Sequence, residues 1–393
     1  MRPVYVLSAV RTPIGRFGGA FASLSAADLG TAAARAAIER SGLPAAAIGE
    51  TVFGHARQAG GGPNTARQVS HRAGVPDSVP AYTVNKACAS SLKAITLAAL
   101  SIGAGENEVV LAGGAECMSA TPYLLPRVRF GMRMGHGEVV DGMYRDGFFC
   151  PLCEQLMGDT AENLVQEFGI SRLEQDAFAL ESQTRARTAI EEGRFEAEIV
   201  PVEVAGRRGP TLVSRDEHPR GDTTAESLAK LAPVFDPKAG TVHAGNSSGI
   251  TDGAAALVLA SEEGMKKSGV EPLARVGAWT SAGVEPSRMG IGPVPALRKL
   301  LEKTSRSLGD VDLVELNEAF AAQVLACARE LPSLDLGRVN VNGGAIALGH
   351  PIGATGARMT ATLLHEMKRR DSRTGVATLC VSGGMGMAVL FER

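Results

Sequence analysis

Short apolar runs alternate with amphipathic stretches through the first hundred residues. Val4–Val10 reads as a strand, Ala26–Arg40 as a helix, Thr51–His55 as a strand, Thr65–Gly74 as a helix, Tyr82–Val84 as a strand and Ala89–Leu100 as a helix. Unbroken or alternating apolar runs mark strands, and apolar positions at 3.6-residue spacing mark helices. Their alternation predicts an α/β fold assembled from βαβ units. Glu108–Gly113 adds a buried strand, and after Met118 the pattern breaks into a stretch rich in Gly, Met, Arg and Pro. From Thr121 to His243 a mostly helical insertion with long loops is expected, its clearest helices being Met157–Phe168 and Ser171–Glu192. Ala255–Ala260 returns to strand, and from Arg275 the βαβ order starts again. Residues 1–120 and 244–272 therefore form one α/β half, 121–243 the insertion and 273–393 a second half.

The two halves repeat one plan. In the first, Thr51–His55 is followed by a helix, the strand end Thr83-Val84-Asn85, a turn holding Cys88, and Ala89–Leu100. In the second, Leu313–Leu316 is followed by the helix Ala319–Glu330, then Val339-Asn340-Val341-Asn342, a glycine turn and the helix Thr355–Arg369. An internal repeat constrains architecture more than any local assignment does. Two such halves bring strand ends and helix amino termini to a shared cleft, where α/β folds place ligands.

Composition narrows the function. A chain of 393 residues, 45% hydrophobic, can bury two or three lobes without covalent staples. A net charge of −2 with both signs interspersed gives no field for a nucleic-acid backbone or an anionic membrane. Six cysteines spread over the chain read as reduced thiols in a cytoplasmic setting, which permits a catalytic thiol. The apolar run at Met1–Val10 meets Arg11, Thr12 and Pro13 before it reaches signal-peptide length, and a membrane span is not indicated.

Four segments carry candidate chemistry. Cys88 lies in Val84-Asn85-Lys86-Ala87-Cys88-Ala89-Ser90-Ser91-Leu92-Lys93, where a strand hands over to a helix. A helix amino terminus favours thiolate, and a free thiol with pKa near ~8.5 needs that help at neutral pH. The competing reading is a small residue packed under the helix. The stretch Val341–Arg358 is a long glycine-rich turn with His350 near its tip, stiffened by Pro351, and a Cys–His pair supplies a nucleophile with its base. Val376–Cys380 is a strand that ends on a second thiol before Ser382-Gly383-Gly384. Leu313–Leu316 ends on Asn317 and Glu318, which could equally be a helix cap.

Together these segments resemble the thiolase family over essentially the whole chain. The nucleophile signature resembles Val84–Lys93, the Asn-Glu-Ala-Phe motif Asn317–Phe320, the Gly-His-Pro motif Gly349–Pro351, and the motif of a cysteine before a glycine run falls on Cys380. The resemblance implies a duplicated thiolase fold, five-layered α/β/α/β/α, whose insertion covers a coenzyme A site. It implies an acyl-CoA C-acetyltransferase working by a ping-pong mechanism through acyl-Cys88. His350 would be the base, Cys380 the acid/base at the α-carbon, and His350 with Asn317 the enolate donors. A second oxyanion hole would use the backbone N–H groups of Cys88 and Ser382. Ser248, Arg220, Met157, Ala244, Met289 and Phe320 would contact coenzyme A or the acyl group, with no metal or organic cofactor. Val128–Gly135 resembles the loop through which tetrameric thiolases join dimers, implying a homo-oligomer, a dimer or a dimer of dimers.

Two departures qualify the match. Ser382 replaces a glycine, so a positive φ there would strain its Cβ. Leu156 replaces the histidine that short-chain biosynthetic members carry before the methionine, which leaves open both a short-chain and a longer-chain degradative enzyme, and either direction of reaction. Arg207, Arg208, Arg215 and Arg220 concentrate positive charge suited to phosphate. Cys150-Pro151-Leu152-Cys153 has half of a zinc-site spacing without a second ligand pair. A ketoacyl synthase would pair its thiol with histidines rather than with Asn317 and Cys380, and no dinucleotide or P-loop glycine pattern is present. A non-catalytic coenzyme A-binding homologue is the alternative from another class.

Overall fold

The computed structural model describes residues 1–207 and 209–393; Arg208, one of the clustered arginines, lies outside the described residues. In the first half β1 is Val4–Arg11, α1 Ala26–Arg40, β2 Glu50–Gly54, α2 Thr65–Arg72, β3 Ala81–Val84, α3 Ser90–Ala104 and β4 Val109–Cys117. The insertion carries α4, Met157–Phe168, and α5, Arg172–Glu191, before β5, Thr251–Ser261, completes the half. The second half runs β6 Ala274–Gly283, α6 Pro293–Thr304, β7 Leu313–Leu316, α7 Ala321–Glu330, α8 Thr355–Arg370, β8 Thr374–Val381 and β9 Met385–Glu392.

The strands lie in the order β7-β8-β9-β6-β1-β5-β4-β2-β3, with Gly15–Arg16 added on β5. Among the described residues the two half-sheets are joined only where β1 meets β6, through Tyr5 opposite Arg275 and Val6 opposite Ala274. Alternation along each strand decides which layer its side chains serve. On β5, Ala255, Leu257 and Leu259 enter the central core, while Ala254, Ala256, Val258 and Ala260 enter the core under α1 and α2. The central core holds α3 and α8 between the inner faces of both half-sheets, and α6 and α7 cover the outer face of the second. Five layers result. In the middle layer helix α3 buries Leu92, Ile95 and Ile102 fully, each contributing about 1.5–3 kcal/mol. The stretch Ala87–Ala104 is apolar enough to cross a membrane by composition, and here that character fills the core.

Two expectations change. Outside α4, α5, the short helix Ala225–Ala229 and the single turns Val128–Phe130 and Tyr144–Phe148, the insertion is loops and three two-stranded ladders rather than mostly helix. The second half also lacks a counterpart of β3, since Val339 makes only an isolated parallel bridge to Val314. Asn340 explains this. Its φ of 46° turns the chain away from the sheet, and its side chain does the work of a strand. Asn340 Oδ1 accepts the Leu316 N–H at 2.9 Å, and Nδ2 donates to the Leu316 carbonyl at 2.7 Å.

Candidate active site

The nucleophile segment is shaped by its own side chains. Asn85 Oδ1 accepts the Ala87 N–H at 3.0 Å, and Ser90 Oγ accepts the Lys86 N–H at 2.9 Å. These bonds hold Ala87 at φ 44° and deliver Cys88 to the start of α3. Gly54 lets α3 descend onto the sheet, because a Cβ there would meet the Ser91 nitrogen at 2.4 Å.

Burial outweighs the helix terminus at Cys88. The thiol is pushed up from its ordinary value by desolvation, against hydrogen bonds from the backbone N–H groups of Ser382 and of Cys88 itself and the positive charge of Arg57. The expectation of a helix-stabilised thiolate is thus corrected: the resting group is a thiol that needs a base. The backbone N–H groups of Cys88 and Ser382 thus both act on the sulfur. Ser382 is unstrained, since it lies outside the left-handed region and Gly383 and Gly384 take the positive φ angles, 86° and 84°.

His350 stands opposite as a neutral imidazole. Gly349 adopts φ 99° with no room for a Cβ, which would fall 2.4 Å from Thr251 Cγ2. Thr355 Oγ1 donates to the Pro351 carbonyl at 2.9 Å, so its oxygen accepts from His350 Nδ1 at 2.6 Å. Nε2 is left as the unprotonated nitrogen, 3.5 Å from Asn317 Nδ2. Desolvation, then the charges of Arg57 and Arg358, push the His350 pKa down to about 3.

Cys88, His350, Cys380 and Ser382 line one cavity of about 550 Å³. So do Ser248, Arg220, Met157, Ala244, Met289 and Phe320, and the insertion supplies a wall through Tyr144, Phe148, Leu156 and Phe235. Cys380 is 1% exposed among Met157, Met289 and Phe320, and its thiol is pushed well up by burial and by Cys88. Asn317 is buried beside His350 Nε2 and is not among the cavity-lining residues, with Oδ1 buried and unpartnered. The cap reading of Asn317 and Glu318 fails, because Phe320 is the N-cap of α7 and no side chain caps it. Glu318 instead accepts from Ser182 Oγ (2.7 Å), Asn340 Nδ2 (2.9 Å) and the Ile346 N–H (3.1 Å). Of the arginine cluster, Arg220 reaches the cavity, while Arg207 and Arg215 are exposed away from it.

Sequence reasoning missed Arg57 and the buried pair of His55 Nε2 and Glu116 Oε1, 3.1 Å apart. The repeat held the signal: His55 follows the end of β2 as Asn317 follows the end of β7, so residues just past β2 belonged on the candidate roster.

Fold and site together define a carbon–sulfur acyl-transfer architecture, and the comparisons agree. The pattern described as "Thiolase, N-terminal domain" matches residues 4–263 and "Thiolase, C-terminal domain" matches 270–393. An acetyl-CoA acetyltransferase of Pseudomonas aeruginosa is 51% identical over the full length of both chains. The crystal structure of the Bacillus anthracis acetyl-CoA acetyltransferase superposes with a TM-score of 0.97 at 49% identity, covering 100% of this chain and 99% of that one. That of human mitochondrial 3-ketoacyl-CoA thiolase gives 0.96 at 43% identity, with the same coverage. The chain belongs to the thiolase family, and it is an acyltransferase.

Proposed function

We propose that the cavity interconverts a short 3-oxoacyl-CoA plus coenzyme A with acetyl-CoA plus an acyl-CoA, by a ping-pong route through acyl-Cys88. The observation that carries this is the convergence of two thiols, a neutral imidazole and two backbone N–H groups in one cavity. In cleavage His350 Nε2 takes the Cys88 proton, and the thiolate attacks the 3-carbonyl, whose oxyanion rests on the N–H groups of Cys88 and Ser382. The C2–C3 bond breaks and its electrons form the acetyl-CoA enolate, which takes the Cys380 proton while the acyl group stays on sulfur. Coenzyme A then gives its proton to Cys380 and displaces Cys88, which recovers its own proton from His350. The enolate oxygen is received by His350 and by Asn317, whose unpartnered Oδ1 can hold a water. Loss of one such donor costs about 3–4 kcal/mol of transition-state stabilisation. Every proton and oxyanion has a protein group, so the route calls on no cofactor. Ser248, Ala244 and Arg220 suit coenzyme A, and the exposed Phe130, Met132 and Met134 suit a contact between subunits of a homo-oligomer.

Incubation with acetyl-CoA should place an acetyl group on Cys88, read by intact-protein and peptide mass spectrometry. Cys88→Ser should abolish it. An undiminished adduct in that variant would mean another residue is the nucleophile.

A further inference from the structure

Arg57 is a charged group beside the nucleophile that the reaction above leaves unused. It is 5% exposed, lines the cavity, and lies over Phe148 with its guanidinium carbon 5.0 Å from the ring centroid. Its Nε and Nη2 are buried without a hydrogen-bond partner. Leaving a guanidinium unpaired in a buried site is costly, so such groups are held for a partner. The carboxylate that acts most strongly on it is already filled. Glu116 accepts the N–H groups of Ala56 (3.1 Å), Arg57 itself (3.1 Å) and Gly353 (2.8 Å), together with His55 Nε2 (3.1 Å). Asp141 and Asp146 attract Arg57 through space without bonding it. Asp141 is engaged by the Met143 N–H at 2.8 Å, and Asp146 is exposed.

The two unpartnered nitrogens share one edge of the guanidinium. That edge is the one with which Arg369 grips Glu366, through Nε at 2.8 Å and Nη2 at 2.6 Å, and it matches the two oxygens of a carboxylate. Ala56, Met118, Met143, Phe148, Ile250 and Ile352 form an apolar cluster against Cys88. An acyl group on the sulfur would meet this hydrocarbon and the Arg57 cation, with the exposed Asp146 the one acid among the described residues on the same cavity wall. Coenzyme A phosphates are excluded as the partner, because they lie a pantetheine length from the thioester while Arg57 acts on the Cys88 thiol itself.

We propose that Arg57 receives the terminal carboxylate of the acyl group, so that the chain processes 3-oxo dicarboxylic acyl-CoA esters. The inference rests on the reading of Cys88 as acyl acceptor. In cleavage the C2–C3 bond breaks as above, acetyl-CoA departs with the Cys380 proton, and the ω-carboxyacyl group remains on Cys88 until coenzyme A takes it. The turn Tyr144–Phe148, a single π-helical turn, covers the binding edge with Gly147 against Nη2, so the turn shifts to admit the carboxylate.

The test compares succinyl-CoA with butyryl-CoA, equal in carbon number and differing by carboxylate against methyl, as acyl donors to Cys88 in single-turnover experiments. The wild-type protein should favour succinyl-CoA by about 10-fold or more, and Arg57→Met should lower the succinyl-to-butyryl ratio of kcat/KM by about 100-fold. Arg57→Lys should retain part of the preference. A wild-type preference for butyryl-CoA would overturn the proposal, as would a ratio in either variant within about threefold of wild type. If Arg57→Met does not fold, the wild-type preference and Arg57→Lys decide. Failure of the underlying reading looks different, since no acyl-CoA, acetyl-CoA included, would then modify Cys88.

Discussion

The two halves of the molecule put different residues at equivalent places. In the first, β2 and β4 pair with Gly54 opposite Gly114; one residue past Gly54 is His55, and two past Gly114 is Glu116. In the second, β7 and β8 pair with Leu316 opposite Thr378; one residue past Leu316 is Asn317, and two past Thr378 is Cys380. The first pair closes into a buried histidine–carboxylate contact that also ties down the Gly353 N–H from the other half. The second pair serves the cavity, with Cys380 on its wall and Asn317 supporting His350. A duplicated scaffold has kept one copy of the strand-end pair as a brace and set the other at the cavity.

The largest effect expected from this division is on chemistry in the second half. Cys380→Ala should keep acylation of Cys88 by acetyl-CoA, while exchange of the acetyl-CoA methyl protons with solvent falls by about 100- to 10,000-fold, the range for loss of a general acid/base. Deuterium wash-in followed by NMR measures this directly. Wild-type exchange in the folded variant would make Cys380 a packing residue and erase the contrast between the halves.

At the equivalent place in the first half the cost should fall on stability. In Glu116→Gln an amide NH2 must face donors already directed at the carboxylate, with His55 left unpaired. A loss of about 3 kcal/mol is expected, from the range for breaking a buried pair. It should appear as a lowered unfolding midpoint in urea, with the acetyl adduct on Cys88 still forming in the folded fraction. A full-stability variant that cannot be acylated would show that both halves carry chemistry.

Much of this was legible because strong periodicity and turn chemistry mark it. Helices Ala26–Arg40 and Met157–Phe168 and strand Leu313–Leu316 fall where the pattern places them. Cys88, His350 and Cys380 line one cavity together with Ser248, Arg220, Met157, Ala244, Met289 and Phe320. What was not legible depends on tertiary contacts. The missing strand after α7 turns on one Asn340 side chain that imitates a ladder. The upward shift of Cys88 comes from how deeply α3 is sandwiched, and the helix-terminus argument carries no information on depth. Arg57 was passed over because nothing in its neighbourhood of sequence reveals that Glu116, 59 residues on, is occupied by backbone N–H groups.

The smallest effect predicted is a flat line, and it tests how the two halves share a proton. With His350 pushed down to about 3 and the Cys88 thiol pushed up, the resting pair is imidazole and thiol, not imidazolium and thiolate. The sign follows from the direction of each shift. A depressed histidine stays a competent base as pH falls, until its own pKa is approached. The kcat/KM for Cys88 acylation, which reports groups of the free enzyme, should therefore stay level from about pH 8 to about pH 5.5, where an imidazole of ordinary pKa near ~6.5 would bend it downward. Proton transfer should also accompany attack and give a normal solvent isotope effect, which a preformed ion pair would lack. A downward bend near ~6.5 that vanishes in His350→Asn would show that His350 titrates as an ordinary histidine, and that burial between the halves does not set its charge.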